Sequence, residues 1–135
     1  MTGKFTFMND VEFAPLDWGK VGALCNPSST GAKNLTVLDG RLYPGKGHDF
    51  HKHANQEEVI IVISGKLEQW IDQEKRILGP GDSVFIPPNT VHASFNVGDG
   101  EPTEILAVFG PSVGDNGLEM IDVSGEAPWN GLRVS

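Results

Sequence analysis

Short apolar runs separated by turn residues dominate this chain. Val59-Ile60-Ile61-Val62-Ile63 is a β-branched run stopped by Ser64-Gly65, and it predicts a strand covered on both faces. Residues 34–43 predict an earlier strand, with Leu35, Val37, Leu38, Leu42 and Tyr43 as its apolar content, broken by Pro44-Gly45-Lys46-Gly47. Residues 66–71 and 75–78 flank Asp72-Gln73-Glu74 and predict a hairpin. Further strands are expected over 83–87, 91–96 and 103–109, with a short one near 20–24 and another around 118–123. No stretch carries a clean helical period, while turn signals recur at short intervals from Ser64 to Phe109. That pattern predicts an all-β sandwich or barrel. Residues 1–34 otherwise read as a loop-rich arm, 35–110 as the core and 111–135 as a tail. In the tail, Trp129 is expected to dock on the body of the fold or on a partner.

Composition agrees with many turns. Gly and Pro number 17 and 9 in 135 residues, well above the roughly 12% of an average protein. The length bounds the chain to one domain. The net charge is -8, and the excess is uneven: no Lys or Arg occurs from Ile77 to Leu132, where eight acids lie. Such a surface repels a phosphate backbone, so nucleic acid is excluded as a partner. No apolar run is long enough to span a membrane, and the first residues lack the apolar stretch of a secretion signal, so a cytoplasmic protein is expected. The single cysteine, Cys25, rules out an internal disulfide framework.

The chemistry concentrates in four histidines, His48, His51, His53 and His92. His51 and His53 are two apart, so both project from one face only if residues 50–54 are extended. Glu58 leads straight into the apolar run, where a buried carboxylate needs a partner, and a divalent ion is one such partner. His92 is a fourth candidate in another β-patterned segment. Taken singly, a buried histidine is as well explained by core packing. His48 reads as loop or rim, with substrate contact or proton transfer as its candidate role.

These residues fall into two short patterns. The first, G-x5-H-x-H-x3–4-E-x6-G, is spelled by Gly45, His51, His53, Glu58 and Gly65. The second, G-x5-P-x-G-x2-H-x3-N, is spelled by Gly81, Pro87, Asn89, His92 and Asn96, with Asn89 in place of Gly. Asn is the residue after Gly that best tolerates a positive φ. In this the sequence resembles the cupins, and specifically their small single-domain members. The resemblance implies a single cupin, jelly-roll-like antiparallel β-barrel holding one divalent transition metal (Fe, Mn, Zn, Ni, Co or Cu). It carries the ligand role to His51, His53, Glu58 and His92, with Glu58 also a candidate proton acceptor. Glu57 is the rival to Glu58, and the spacing to Gly65 favours Glu58. On an unbulged strand Ile60 and Val62 would then share the cavity side with Glu58. Arg41, Tyr43, Gln69, Phe85, Ser94, Asn96 and Phe109 are the candidate pocket residues.

The resemblance implies a metalloenzyme acting on a small oxygen-rich substrate (sugar-derived, carboxylate or enediol) as a dioxygenase, isomerase or lyase, and a homodimer. A non-catalytic ligand-binding or sensor cupin and a metal-stabilised structural barrel are the alternatives. Val108-Phe109-Gly110-Pro111 is similar to the last barrel strand of cupins that open unsaturated uronates. Ala107 and Val113 stand where those proteins carry an acid and a base.

Overall fold

A computed structural model describes residues 2–133. Eleven strands form two antiparallel sheets. The first sheet has the order β1 (Phe13–Leu16), β2 (Gly19–Cys25), β3 (Thr36–Leu42), β10 (Thr103–Gly110), β5 (Glu57–Ser64) and β8 (Ser83–Ile86). The second has the order β11 (Ile121–Asp122), β4 (Gly47–Lys52), β9 (His92–Asn96), β6 (Leu67–Ile71) and β7 (Glu74–Leu78). The expected all-β, jelly-roll-like antiparallel fold is present, as two sheets that are not joined edge to edge into a closed barrel. A single-turn helix, α1 (Pro27–Thr30), follows β2, and the Asn26 side chain caps it by accepting from the Ser29 amide.

The strands expected from the pattern are present. The expected 66–71/75–78 hairpin is β6–β7, and Asp72 in its turn has a φ of +53°. The segment read as a loop-rich arm contributes β1 and β2, which extend the first sheet beyond β3. The β-branched run of β5 divides by parity. Ile60 and Val62 are buried between the sheets, while Ile63 on the opposite face is 43% exposed, so only one face of this strand is fully covered.

Two apolar clusters hold the sheets. Leu42, Ile60, Val62, Leu67, Ile86 and Ile105 pack between them, with Ala107 and Phe109 nearer the site. Phe50, Trp70, Val91, Ala93, Phe95 and Val123 form a second cluster, against which Trp129 and Leu132 of the tail pack. Burial of a side chain such as Phe50 contributes roughly 1.5–3 kcal/mol. Trp129 Nε1 donates to Asp72 Oδ1 at 3.2 Å, which pins the tail to the β6–β7 turn. No helix among the described residues is long and apolar enough to cross a membrane.

Candidate metal centre

Local backbone geometry aims the site. His51 lies in β4 and pairs directly with His92 at the start of β9. His53 follows β4 just past its end, two residues on, as an inward pair requires. Glu58 is buried at the start of β5, whereas its neighbour Glu57 is exposed. Asn89 takes the left-handed conformation at φ +60°, and its amide donates to the His53 carbonyl at 2.8 Å. That turn returns the chain so that His92 meets the other three residues.

Each ring has one nitrogen engaged by a backbone carbonyl. His51 Nδ1 donates to Asp49 O at 2.7 Å, His53 Nδ1 to Glu119 O at 2.7 Å and His92 Nδ1 to Thr90 O at 2.9 Å. A carbonyl only accepts, so Nδ1 carries the hydrogen and each neutral ring presents a bare lone pair at Nε2. One ligand nitrogen from each of the three rings lies within 4.8 Å of the others. Glu58 Oε1 stands 2.9 Å from His92 Nε2 and 3.3 Å from His53 Nε2. Even so, His53 Nε2, His92 Nε2 and Glu58 Oε1 are buried without a hydrogen-bond partner.

Three imidazole lone pairs and a carboxylate turned toward one point repel one another unless something positive sits between them. A proton can satisfy one contact. A divalent ion can satisfy all four, and three imidazoles with one carboxylate are a suitable donor set for a first-row metal. The residues therefore fit a divalent metal ion.

Electrostatics lead the same way. Burial, reinforced by the neighbouring His48 and His92, holds His51 well below the ordinary histidine range. Burial, with His92 next, lowers His48 to about 4. Burial also works to lower His53, but the Glu58 carboxylate outweighs it and raises the ring. For Glu58, burial works upward and is outweighed by His53 and His92, so its carboxyl falls below the ordinary value. An uncharged His51 and an ionised Glu58 are protonation states that ligate metals, and the raised His53 marks the pull of the Glu58 carboxylate for positive charge at this point.

A cavity of about 540 Å³ opens from this cluster between the sheets. Of the expected pocket residues, Phe109 and Ser94 line it, and the Phe109 ring lies edge-on to His53 with centroids 4.9 Å apart. Arg41, Tyr43 and Phe85 do not. Leu38, Gly40 and Leu42 of β3 face the cavity, so alternation turns Arg41 outward, where it pairs with Asp39 and Glu104. Tyr43, just past β3, is 38% exposed, and Phe85 in β8 is 52% exposed opposite the inward Ile86. Gln69 and Asn96 are buried but lie off the cavity and are internally satisfied. Gln69 accepts from Ser94 and donates to the Trp70 carbonyl, and Asn96 Nδ2 donates to the carbonyls of Leu42 and Glu101.

Three contributions were not visible in the sequence. The β1–β2 hairpin supplies Ala14, Leu16, Trp18, Val21 and Ala23 to the cavity wall. His48 stacks between Trp18 and His51, with centroids 4.9 and 3.6 Å away and planes tilted by 14° and 12°. Gln56, at 2% exposure, donates to the Pro111 and Gly117 carbonyls and accepts from the Glu119 amide. It thereby fixes the loop whose Glu119 carbonyl orients His53. The stacking partners are 30 residues apart in sequence, and a polar residue in a turn carries no pattern of its own.

Known proteins were compared with this geometry. The chain is 40% identical over 72 residues to quercetin 2,3-dioxygenase of Bacillus subtilis, covering 52% of this chain and 20% of that enzyme. It is 34% identical over 92 residues to glucose-6-phosphate isomerase of Pyrococcus furiosus, covering 54% of this chain and 45% of that one. The chain thus spans less than half the length of either curated enzyme. Among solved structures, KdgF from Halomonas superposes with a TM-score of 0.75 at 20% identity, over 84% of this chain and 98% of that one, which is a likeness of fold. The Cupin domain family model matches residues 38–109, just over half of the 135 residues and inclusive of every residue of the His–Glu cluster, and the chain therefore belongs to the cupin domain family.

Proposed function

We propose that this protein is a metalloenzyme in which His51, His53, Glu58 and His92 hold one divalent transition metal, and that it acts on a small oxygen-bearing substrate as a dioxygenase, isomerase or lyase. The supporting observation is the convergence of unpartnered Nε2 and Oε1 lone pairs on the wall of a ligand-sized cavity. When bound, such an ion supplies a Lewis-acid centre with positions left open to substrate oxygen, and a redox-active one also supports oxygen chemistry. The printed activities of the two curated relatives, a dioxygenase and an isomerase, both lie within this range.

The remaining work falls to the chain itself. The backbone carbonyls of Asp49, Glu119 and Thr90 fix all three rings, so the site needs little reorganisation on loading. Glu58 is the charged ligand and the carboxylate placed to accept a proton from a bound hydroxyl. His48 lines the cavity beside His51, and among the described residues its ring nitrogens make no hydrogen bond, which leaves them for substrate. The largely apolar cavity wall favours exclusion of water from the reacting end.

The test is metal analysis of untagged protein with thermal melts before and after chelation. One equivalent of divalent metal and a chelator-sensitive melting temperature are expected, both lost in His92→Ala. At a free metal concentration a hundredfold above Kd, the linkage stabilisation is about 2.7 kcal/mol, or roughly 10 °C for a chain of this length. Absence of stoichiometric metal, with His92→Ala melting like the parent under all conditions, would refute the reading.

A further inference from the structure

We propose that the substrate is an uncharged molecule with an apolar body and a single oxygen-bearing end, the end lying at the His–Glu cluster and the body along the β1–β2 hairpin. The placement of the oxygen end rests on the metalloenzyme reading; the nature of the body does not.

Three observations carry it. No Lys or Arg lines the cavity among the described residues, and its acids, Glu12 and Glu58, add negative charge. A phosphate or a second carboxylate would lose its water there without a cationic side chain to replace it. Next, two of the polar side chains of the wall away from the cluster are already engaged. Asn26 accepts from the Ser29 amide and donates to the Asn116 carbonyl, and Ser94 donates to Gln69. They are poorly placed to read the hydroxyls of a sugar. Finally, Ala14, Leu16, Val21 and Ala23 of the hairpin, with Leu118 and Met120 of the C-terminal segment, leave an apolar surface lining the space. A volume of about 540 Å³ is within the ordinary span of small-molecule sites.

Two probes separate the body from the metal. N-phenyl-1-naphthylamine, a neutral apolar fluorophore, is expected to bind both metal-free and metal-loaded protein. Ala23→Phe, which fills the hairpin wall, should weaken it at least about tenfold, since several buried methylenes' worth of contact is lost. Leu16→Arg, at a position 43% exposed and so tolerant of change, should weaken it as well if the first variant folds poorly. On metal-loaded protein, calorimetry should show 4-tert-butylcatechol binding at least about tenfold tighter than catechol, and 4-sulfocatechol no tighter than catechol. Leu16→Arg should narrow the gap between the sulfonated and alkylated compounds.

Failure of the naphthylamine to bind either form overturns the proposal, as does equal binding in both folded variants. Tighter binding of 4-sulfocatechol, glucose 6-phosphate or oxalate than of 4-tert-butylcatechol overturns it too, while leaving the metal reading intact. Protein that takes up no metal yet binds the naphthylamine in a hairpin-dependent way sinks the metal reading and keeps the apolar-body assignment.

Discussion

Replacing Asp39 with Asn is expected to stabilise the protein near neutral pH and to flatten its stability between about pH 4 and 6. Asp39 lies on the outer face of the first sheet, between Gly22 and Leu106 by register, with 1% of its surface exposed. Its Oδ1 accepts from Arg41 Nε at 3.2 Å, and its Oδ2 has no partner. Burial, and then the neighbouring Glu104, push the carboxyl from the ordinary 3.8 to about 6, against the downward pull of Arg41. A carboxyl raised on folding supports the fold fully below its unfolded pKa, and that support is lost as pH rises through the folded value. The window here therefore runs from about pH 4 to pH 6. Two units at 1.36 kcal/mol each give on the order of 3 kcal/mol, and partly exposed Arg41 nearby brings solvent screening that lowers this to roughly 1–3 kcal/mol. Asn keeps an oxygen for Arg41 and offers Glu104 the hydrogen that a proton supplies at low pH. Urea unfolding of both proteins at pH 4.5 and pH 7 measures the effect. The difference between them isolates Asp39 from Glu58, whose lowered pKa gives stability that is present above its unfolded value and lost on acidification. An Asn variant no more stable than the parent at pH 7, or an advantage that fails to shrink toward pH 4.5, would show that the carboxyl is not held protonated by its surroundings.

Gly47→Ala tests the coupling of sheet packing to the metal ligands: its Cβ would stand 2.2 Å from the Ser94 carbonyl oxygen and 2.6 Å from Phe95 Cα, so β4 and β9 must separate. A loss of about 2 kcal/mol or more in urea unfolding, with weakened metal binding by calorimetry, is expected, and parental values for both would contradict the close approach. Gln56→Ala removes the side-chain donor to the Pro111 carbonyl and the acceptor of the Glu119 amide, while the Gly117 carbonyl keeps Thr36 Oγ1 and the Val113 amide. It should cost roughly 2–3 kcal/mol and lower metal affinity at least about tenfold by freeing the carbonyl that orients His53, measured by denaturation and competitive chelation. A purely structural Gln56 would lower stability and leave affinity unchanged.

The local parts of this fold are legible because each strand states its own period and each turn its own residues. Asp72-Gln73-Glu74 marks the β6–β7 turn, and Gly45, Gly65 and Gly81 take the positive φ that chain reversal requires there. The His–Glu cluster is legible because two spaced patterns name its members. The wall of the cavity is not. Its chemistry depends on which parity of β3 turns inward, and reading Arg41 and Tyr43 as pocket residues reverses that parity. Of the β1–β2 hairpin, β2 corresponds to the short strand expected near 20–24, while β1 and its pairing escape because Pro15 and Gly19 read as loop when taken alone. In the sheet, Gly19 faces the Arg41 carbonyl, where a Cβ would come within 2.1 Å, so the glycine there permits strand pairing. Closure of the sheets is likewise a long-range property, since nothing local records whether β8 and β7 find further partners.

The β1–β2 hairpin sits at the end of the first sheet, bonded on one side only to β3, whereas every residue of the His–Glu cluster comes from β4, β5, β9 and the segment after β4. The proposed metal ligands and one wall of the cavity are thus carried by separate stretches of polypeptide. Descendants of this chain could exchange the first thirty residues, and with them that wall of the cavity, while inheriting the His–Glu cluster unaltered.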